Sequence, residues 1–140
     1  MYANHAPQTA ENFVSFATGN NPERLSYAGS SFDKGFPGMC VVGGCLSEDN
    51  HSVDGRRMTH ENTQLRHFKR GMLSLTSDGD NGIGSKFLIT LGQAADILDG
   101  YNVVIGELVE GEDVLNEVEK SLSREWNLKN EIKIESSGTR

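Results

Sequence analysis

The stretch that most limits how this chain can fold is residues 70–91, RGMLSLTSDGDNGIGSKFLITL. Two apolar runs, GMLSLT and KFLIT, flank an insert, SDGDNGIGSK, that is too polar and too rich in glycine for a helix or strand. Short runs with β-branched and aliphatic residues are typical of buried strands, because helices usually need about ten residues or more. The insert is therefore predicted to be a surface loop fixed at both ends by core strands, and to form one wall of a binding site.

The length, charge and hydropathy of the chain limit the kinds of protein to which it can belong. A chain of 140 residues fits a single domain, residues 1–140, with one core. The net charge is -7, with acidic residues concentrated in 107–135, which disfavours a nucleic-acid partner. No apolar run is long enough to span a membrane, and the first residues lack the pattern of a signal peptide. We therefore expect an intracellular protein, with the cytoplasm and an organelle such as the mitochondrion both left open.

The residues that could bind a metal or nucleotide do not form a recognisable motif. Cys40 and Cys45 have no histidine at zinc-ligand spacing, and we expect both to be ordinary core thiols. The four histidines are expected to be solvated surface groups. GDNGIGSK resembles a phosphate-binding loop, but its Ser-Lys order is reversed and a strand is predicted to follow it. The sequence predicts neither a metal nor a cofactor.

The remaining segments predict two helices and several short strands. Residues 7–19 read as the first helix, with Pro7 at its start and Gly19 at its end, and residues 111–120 as the second. A strand, a turn at residues 35–38 and another strand are predicted within 31–46, followed by a long polar loop over 47–69. Further strands are predicted at 103–109 and 131–135. About six strands and two helices without a βαβ rhythm indicate an α+β or barrel architecture.

Several segments, taken in order, resemble the cyclophilin family of peptidyl-prolyl cis-trans isomerases. They are PQTAENF from residue 7, Phe32 with Pro37-Gly38 and Gly43-Gly44, HEN at 60–62, GMLSL at 71–75, GSKF at 84–87, LDG at 98–100 and VVIG at 103–106. The resemblance implies a mostly β fold, an antiparallel barrel of eight strands capped by two helices. The family begins with a strand hairpin before its first helix, and residues 1–6 of this sequence do not show one. The barrel is therefore expected to be incomplete at the N-terminus.

The resemblance also implies where a proline-binding site would lie. Lys34 stands where the family has its catalytic arginine, and Val42 where it has a glutamine. The other positions implied to contact the substrate are Met39, Cys40, Thr76, Ser77, Asp78, Lys86, Leu88, Ile97, Leu98 and Asn102. Among these, Met39 and Leu88 replace the two phenylalanines of the family's proline pocket.

These replacements predict a change of function. Isomerisation is accelerated when a donor points at the prolyl nitrogen, and loss of one such donor typically costs about 2.7–4 kcal/mol of transition-state stabilisation. An ammonium group lacks the planar fork of a guanidinium. We therefore expect faint or absent isomerase activity and a structural or protein-binding role as a subunit of a larger assembly. The expected partner is a protein or a proline-containing peptide. An active isomerase that assists protein folding is the alternative.

Overall fold

The first helix and the central sheet position the candidate site in this computed structural model, which describes residues 1, 6–47, 52, 67, 69–77, 83–92 and 102–139. Helix α1 spans Pro7–Thr18 and ends at Gly19, whose φ of 73° is the left-handed conformation that glycine adopts readily. Its buried face includes Phe16 and Ala17. The first predicted helix is therefore confirmed, including its proline start and glycine end.

Five strands follow in the described residues: β1 (Phe32–Phe36), β2 (Cys40–Gly43), β3 (Met72–Ser77), β4 (Ile83–Thr90) and β5 (Val103–Glu107). They form one sheet in the order β1-β2-β4-β3-β5, and every neighbouring pair is antiparallel. Over this part of the chain the sheet is open, with β1 and β5 at its two edges. The mostly β fold with two helices is confirmed, as an open five-stranded sheet consistent with a cyclophilin-like barrel.

Helix α2 spans Glu112–Lys120, with Gly111 as its N-cap residue at a φ of 97°. Glu112 and Asp113 lie in its first turn and Lys120 in its last, which suits the positive and negative ends of the helix dipole. None of the helices in the described ranges is both long and apolar enough to cross a membrane.

Two apolar core clusters lie on one face of the sheet. Phe87 and Leu75 pack there with Phe16 of α1 and with Tyr27, while Val41 packs with Leu115 and Val118 of α2 in a neighbouring cluster. The Tyr27 hydroxyl donates a hydrogen bond to the Ser85 carbonyl oxygen at 2.6 Å. We call this surface the inner face of the sheet, and the opposite surface the outer face.

The range predicted for the loop between the two central strands, residues 77–86, extends too far at its C-terminal end. Residues 83–86 belong to β4, where Ile83 is fully buried. The Asn12 side-chain amide donates to the Gly84 carbonyl at 2.8 Å, and the Ser85 hydroxyl donates to the Gly44 carbonyl at 2.6 Å. These contacts with distant segments extend the strand through a sequence that is locally favourable for a loop.

Three other predictions need correction. The predicted strand at 131–135 is reduced to an isolated bridge between Ser31 and Lys133. Cys40 is buried as expected, but Cys45 is exposed. His67 is buried instead of solvated. Its Nε2 lies 2.9 Å from the Ser74 hydroxyl oxygen, and this hydrogen bond replaces one that the ring would make with water. The other three histidines lie outside the described residues, as does most of the predicted loop over 47–69.

Candidate functional site

One row of side chains crosses the outer face of the sheet. Lys34 of β1 lies opposite Val42 of β2, and Val42 lies opposite Leu88 of β4. Leu88 in turn lies opposite Ser74 of β3. Directly opposed residues project to the same side of a sheet. Lys34 is exposed and the other three are buried, so the row runs from a cation at the sheet edge to a buried, mostly apolar floor.

An apolar cluster surrounds the middle of this row. Met39, Cys40, Val42 and Leu88 are all buried and in contact, and Phe36 packs against them from the edge of the sheet. Phe36 lies opposite Cys40 and two residues after Lys34, so period-two alternation places it on the outer face as well. Of the positions that the resemblance assigns to a proline pocket, Met39, Cys40 and Leu88 are therefore brought together here.

A tight turn fixes Met39 beside this cluster. The Met39 amide donates to the Phe36 carbonyl at 3.1 Å, and Gly38 has a φ of +78°. A proline followed by a glycine at positive φ suits the two central positions of such a turn. The Gly38 amide donates to the Glu119 carboxylate at 2.8 Å, which attaches the turn to α2.

The thiol in the cluster is not activated. Burial raises the pKa of Cys40 to about 11, and the positive charge of Lys34 only partly offsets this. Since the thiolate is the nucleophilic form of cysteine, the group is a neutral thiol near pH 7. Cys40 therefore serves as an apolar wall of the site.

Only some of the other predicted site residues lie on the outer face. Alternation along β4 places Lys86 on the same side as Leu88, and along β3 it places Thr76 on the side of Ser74. Asn102 lies just before β5 and is 6% exposed. The backbone of Ser77 ends β3, where the register shifts. The predicted positions Asp78, Ile97 and Leu98 lie outside the described residues.

Two neighbours of the cluster were not predicted as site residues. The Ser74 hydroxyl, opposite Leu88, shares its buried hydrogen bond with His67. Phe36 could have been found from the sequence, because its two-residue spacing from Lys34 predicts the same face of a strand. The His67 contact could not, since residue 67 lies in a polar stretch without a periodic pattern.

A separate cavity of about 360 Å³ lies on the inner face, away from the row. Its walls include Phe13 of α1, Leu73 and Phe87 of the sheet, and Ile134 near the C-terminus. The Lys34 row and its apolar cluster do not contribute to it. We place the candidate site on the outer face because cation, apolar floor and fixed turn converge there, whereas the inner cavity is lined mainly by core side chains.

The part of the chain that the structure describes contains no group of three or more His, Cys, Asp or Glu side chains arranged to hold a metal ion.

Comparisons with known proteins agree with the motifs in the sequence. Residues 1–139 match the family model described as cyclophilin type peptidyl-prolyl cis-trans isomerase/CLD. A peptidyl-prolyl cis-trans isomerase of Encephalitozoon cuniculi is 38% identical over 133 residues, covering 92% of this chain and 76% of the relative. Peptidyl-prolyl cis-trans isomerase B of Saccharomyces cerevisiae is 34% identical over 131 residues, covering 91% of this chain and 63% of the relative.

Proposed function

Since this chain belongs to the cyclophilin-type peptidyl-prolyl cis-trans isomerase family, we propose that it binds proline-containing segments of other proteins with weak or no isomerase activity, as part of a larger assembly. Members of the family bind proline-containing peptides and proteins. The observation that carries the proposal is the row on the outer face, in which the exposed cation of Lys34 lies opposite an aliphatic side chain, Val42.

The chemistry of this row supports binding more than turnover. The rotation barrier of about 18–20 kcal/mol arises from amide resonance, and a donor aimed at the prolyl nitrogen lowers it. Lys34 offers a point charge on a flexible stem, and Val42 offers no hydrogen bond to orient it. Met39, Cys40 and Leu88 still provide a buried apolar surface for a proline ring.

The alternative is an active isomerase that assists protein folding. One observation favours the active isomerase: Lys34 lies in the same row as Leu88, so a cation is retained beside the apolar floor. Under this alternative Lys34 supplies the donor directly.

A protease-coupled assay on a Xaa-Pro peptide separates the two. We expect the rate with the wild-type chain to stay close to the uncatalysed rate, and Lys34→Ala to leave it unchanged. Catalysed turnover that is abolished in Lys34→Ala would establish the active isomerase instead.

Binding and assembly are tested separately from turnover. Titration with the same peptide should shift the methyl resonances of Leu88 and Met39 saturably. The native mass of the species that contains this chain in its source cells should exceed the mass of the same polypeptide measured under denaturing conditions. A native monomer contradicts the assembly, and absent methyl shifts contradict the peptide site.

A further inference from the structure

Trp126, the chain's only tryptophan, is held in an unusual position. It is 42% exposed and has a φ of +67°. A bulky residue rarely adopts a positive φ, and such strain persists only where the surrounding structure enforces it. Exposed strained residues of this kind occur at ligand-binding positions more often than elsewhere, so the contacts of Trp126 indicate what it could bind.

The loop that carries Trp126 is fixed by hydrogen bonds at its base. Leu122 and Leu128 form an isolated antiparallel bridge. Within it the Ser123 amide donates to the Asn127 carbonyl at 2.8 Å, and the Ser123 hydroxyl oxygen accepts from the Glu125 amide at 3.2 Å. The indole is thus presented at the surface by a closed loop.

The indole contacts the outer face of the sheet. Its ring centroid lies 5.3 Å from that of Phe36, with the two planes inclined by 46°. Phe36 in turn packs against the cluster of Met39, Cys40, Val42 and Leu88. The aromatic pair therefore continues the apolar surface of the candidate site beyond the sheet edge.

The register gives the distance between the pair and the centre of the site. Phe36 lies opposite Cys40, and Cys40 lies opposite Thr90, two residues along β4 from Leu88. Two strand spacings of about 4.8 Å and two residues of about 3.3 Å each separate Phe36 from Leu88 by roughly 12 Å. An extended peptide covers that distance in about three to four residues.

We propose that Phe36 and Trp126 form an aromatic platform that binds an apolar side chain of the partner peptide, about three to four residues from a proline seated over Leu88. The proposal rests on the proposed function, because it requires a proline segment in the outer-face site. Its occupant is an extended proline-containing peptide with an aromatic or large aliphatic residue, since the platform is continuous with the apolar cluster through Phe36. Such a ring contact is worth roughly 0.5–1.5 kcal/mol, equivalent to about 2- to 10-fold in affinity.

The test uses peptides with one proline and a phenylalanine placed one to four residues from it, on either side, with alanine at the same position as the matched control. Binding is followed by Leu88 methyl shifts, and occupancy of the platform by the fluorescence of Trp126. We expect phenylalanine three or four residues from the proline, on one side, to tighten binding about 2- to 10-fold and to change the emission. The alanine peptides should shift Leu88 and leave the emission unchanged.

Two variants complete the test. Trp126→Gly removes the ring and suits the positive φ, whereas Trp126→Phe keeps an aromatic ring. The preference for phenylalanine should vanish in the first and persist in the second, with the alanine peptides bound equally by both. A preference that persists in Trp126→Gly, or no positional preference at all, overturns the platform and assigns Trp126 the role of a cover for Phe36, leaving the proposed function intact. Absence of Leu88 shifts with every peptide overturns both.

Discussion

Arg70 donates a hydrogen bond to Glu119 across 2.7 Å, and the other carboxylate oxygen of Glu119 accepts from the Gly38 amide at 2.8 Å. Arg70 also donates to the Leu91 carbonyl at 2.8 Å and to Glu112 at 2.7 Å. One guanidinium therefore connects the end of β4 with α2. Through Glu119, α2 holds the turn that positions Met39 in the candidate site.

Replacement of Glu119 by alanine should destabilise the protein. It removes the ion pair and leaves the Gly38 amide without this acceptor, in a region where both charged side chains are about one-quarter exposed. Loss of a partly buried hydrogen-bond partner costs roughly 1–3 kcal/mol. Urea unfolding measures the difference, and the Met39 methyl resonance should move in the same variant.

Glu117→Ala is the matched control on the same helix. Glu117 pairs with Lys120 at 3.1 Å, and both side chains are 73% exposed. Exposed ion pairs contribute about 0–1 kcal/mol. Equal losses of stability in the two variants would contradict the role assigned to Glu119.

Gly44 should tolerate no side chain. Its φ is +77°, and an added Cβ would lie 2.7 Å from the Phe87 ring and from the Ser85 carbonyl oxygen. The left-handed backbone alone costs roughly 1–2 kcal/mol for an alanine, and the clash adds to it. We expect Gly44→Ala to lose well over 2 kcal/mol or to fail to fold, as measured by thermal or urea unfolding.

Gly29→Ala separates the two effects. Gly29 has a φ of +85°, and nothing lies within 4 Å of its added Cβ. This variant should lose only the backbone contribution, roughly 1–2 kcal/mol. If Gly29→Ala and Gly44→Ala lost the same stability, the clash at Gly44 would be refuted.

The parts of the fold that follow local rules could be predicted from the sequence. The first helix begins at Pro7 and ends before Gly19 because proline suits a first turn and glycine a left-handed cap, and both effects act within a few residues. Strand β4 begins earlier than its composition indicates, at Ile83. The hydrogen bonds from Asn12 to Gly84 and from Ser85 to Gly44 join residues far apart in the chain, so no local pattern reveals them.

In the candidate site too, some features follow from the sequence and others depend on contacts between distant residues. The family motifs name Lys34, Val42 and Leu88 as site residues. That they lie on one face follows from the register between β1, β2 and β4, which the alternation within a single strand does not give. The Phe36 and Trp126 rings meet only when the loop after α2 folds over the sheet edge. The same holds for the burial of His67 against Ser74, which depends on tertiary contacts.

The buried thiol of Cys40 predicts a loss of stability in alkaline solution. Its pKa is raised by burial from the ordinary value of 9.0 to about 11, with Lys34 partly opposing the shift. Between about pH 9 and pH 11 the unfolded chain loses this proton while the folded chain keeps it, so stability falls as the pH rises. Two pKa units correspond to about 3 kcal/mol at most.

Urea unfolding of the wild type and of Cys40→Ala over that pH range measures this contribution. Cys40→Ala is less stable at neutral pH because it leaves a cavity, but its stability should decline less steeply above pH 9. Parallel curves for the two proteins would show that Cys40 does not contribute to the alkaline decline.

Lys34→Arg tests whether the absence of a guanidinium donor at residue 34 is the only change that keeps the outer-face row from catalysing isomerisation. A guanidinium presents a planar fork of N–H groups, and one well-placed donor is worth roughly 100- to 1,000-fold in rate. Because Met39, Cys40 and Leu88 still form an apolar floor beside residue 34, we expect Lys34→Arg to raise kcat/KM in the protease-coupled assay by about 10-fold or more. Lys34→Met keeps the length of the side chain without its charge and should give no increase. Lys34→Arg could be no faster than the wild type while the Leu88 methyl resonance still shifts on peptide binding. In that case the aliphatic pocket limits the rate of isomerisation, and adding Leu88→Phe to Lys34→Arg should give measurable turnover.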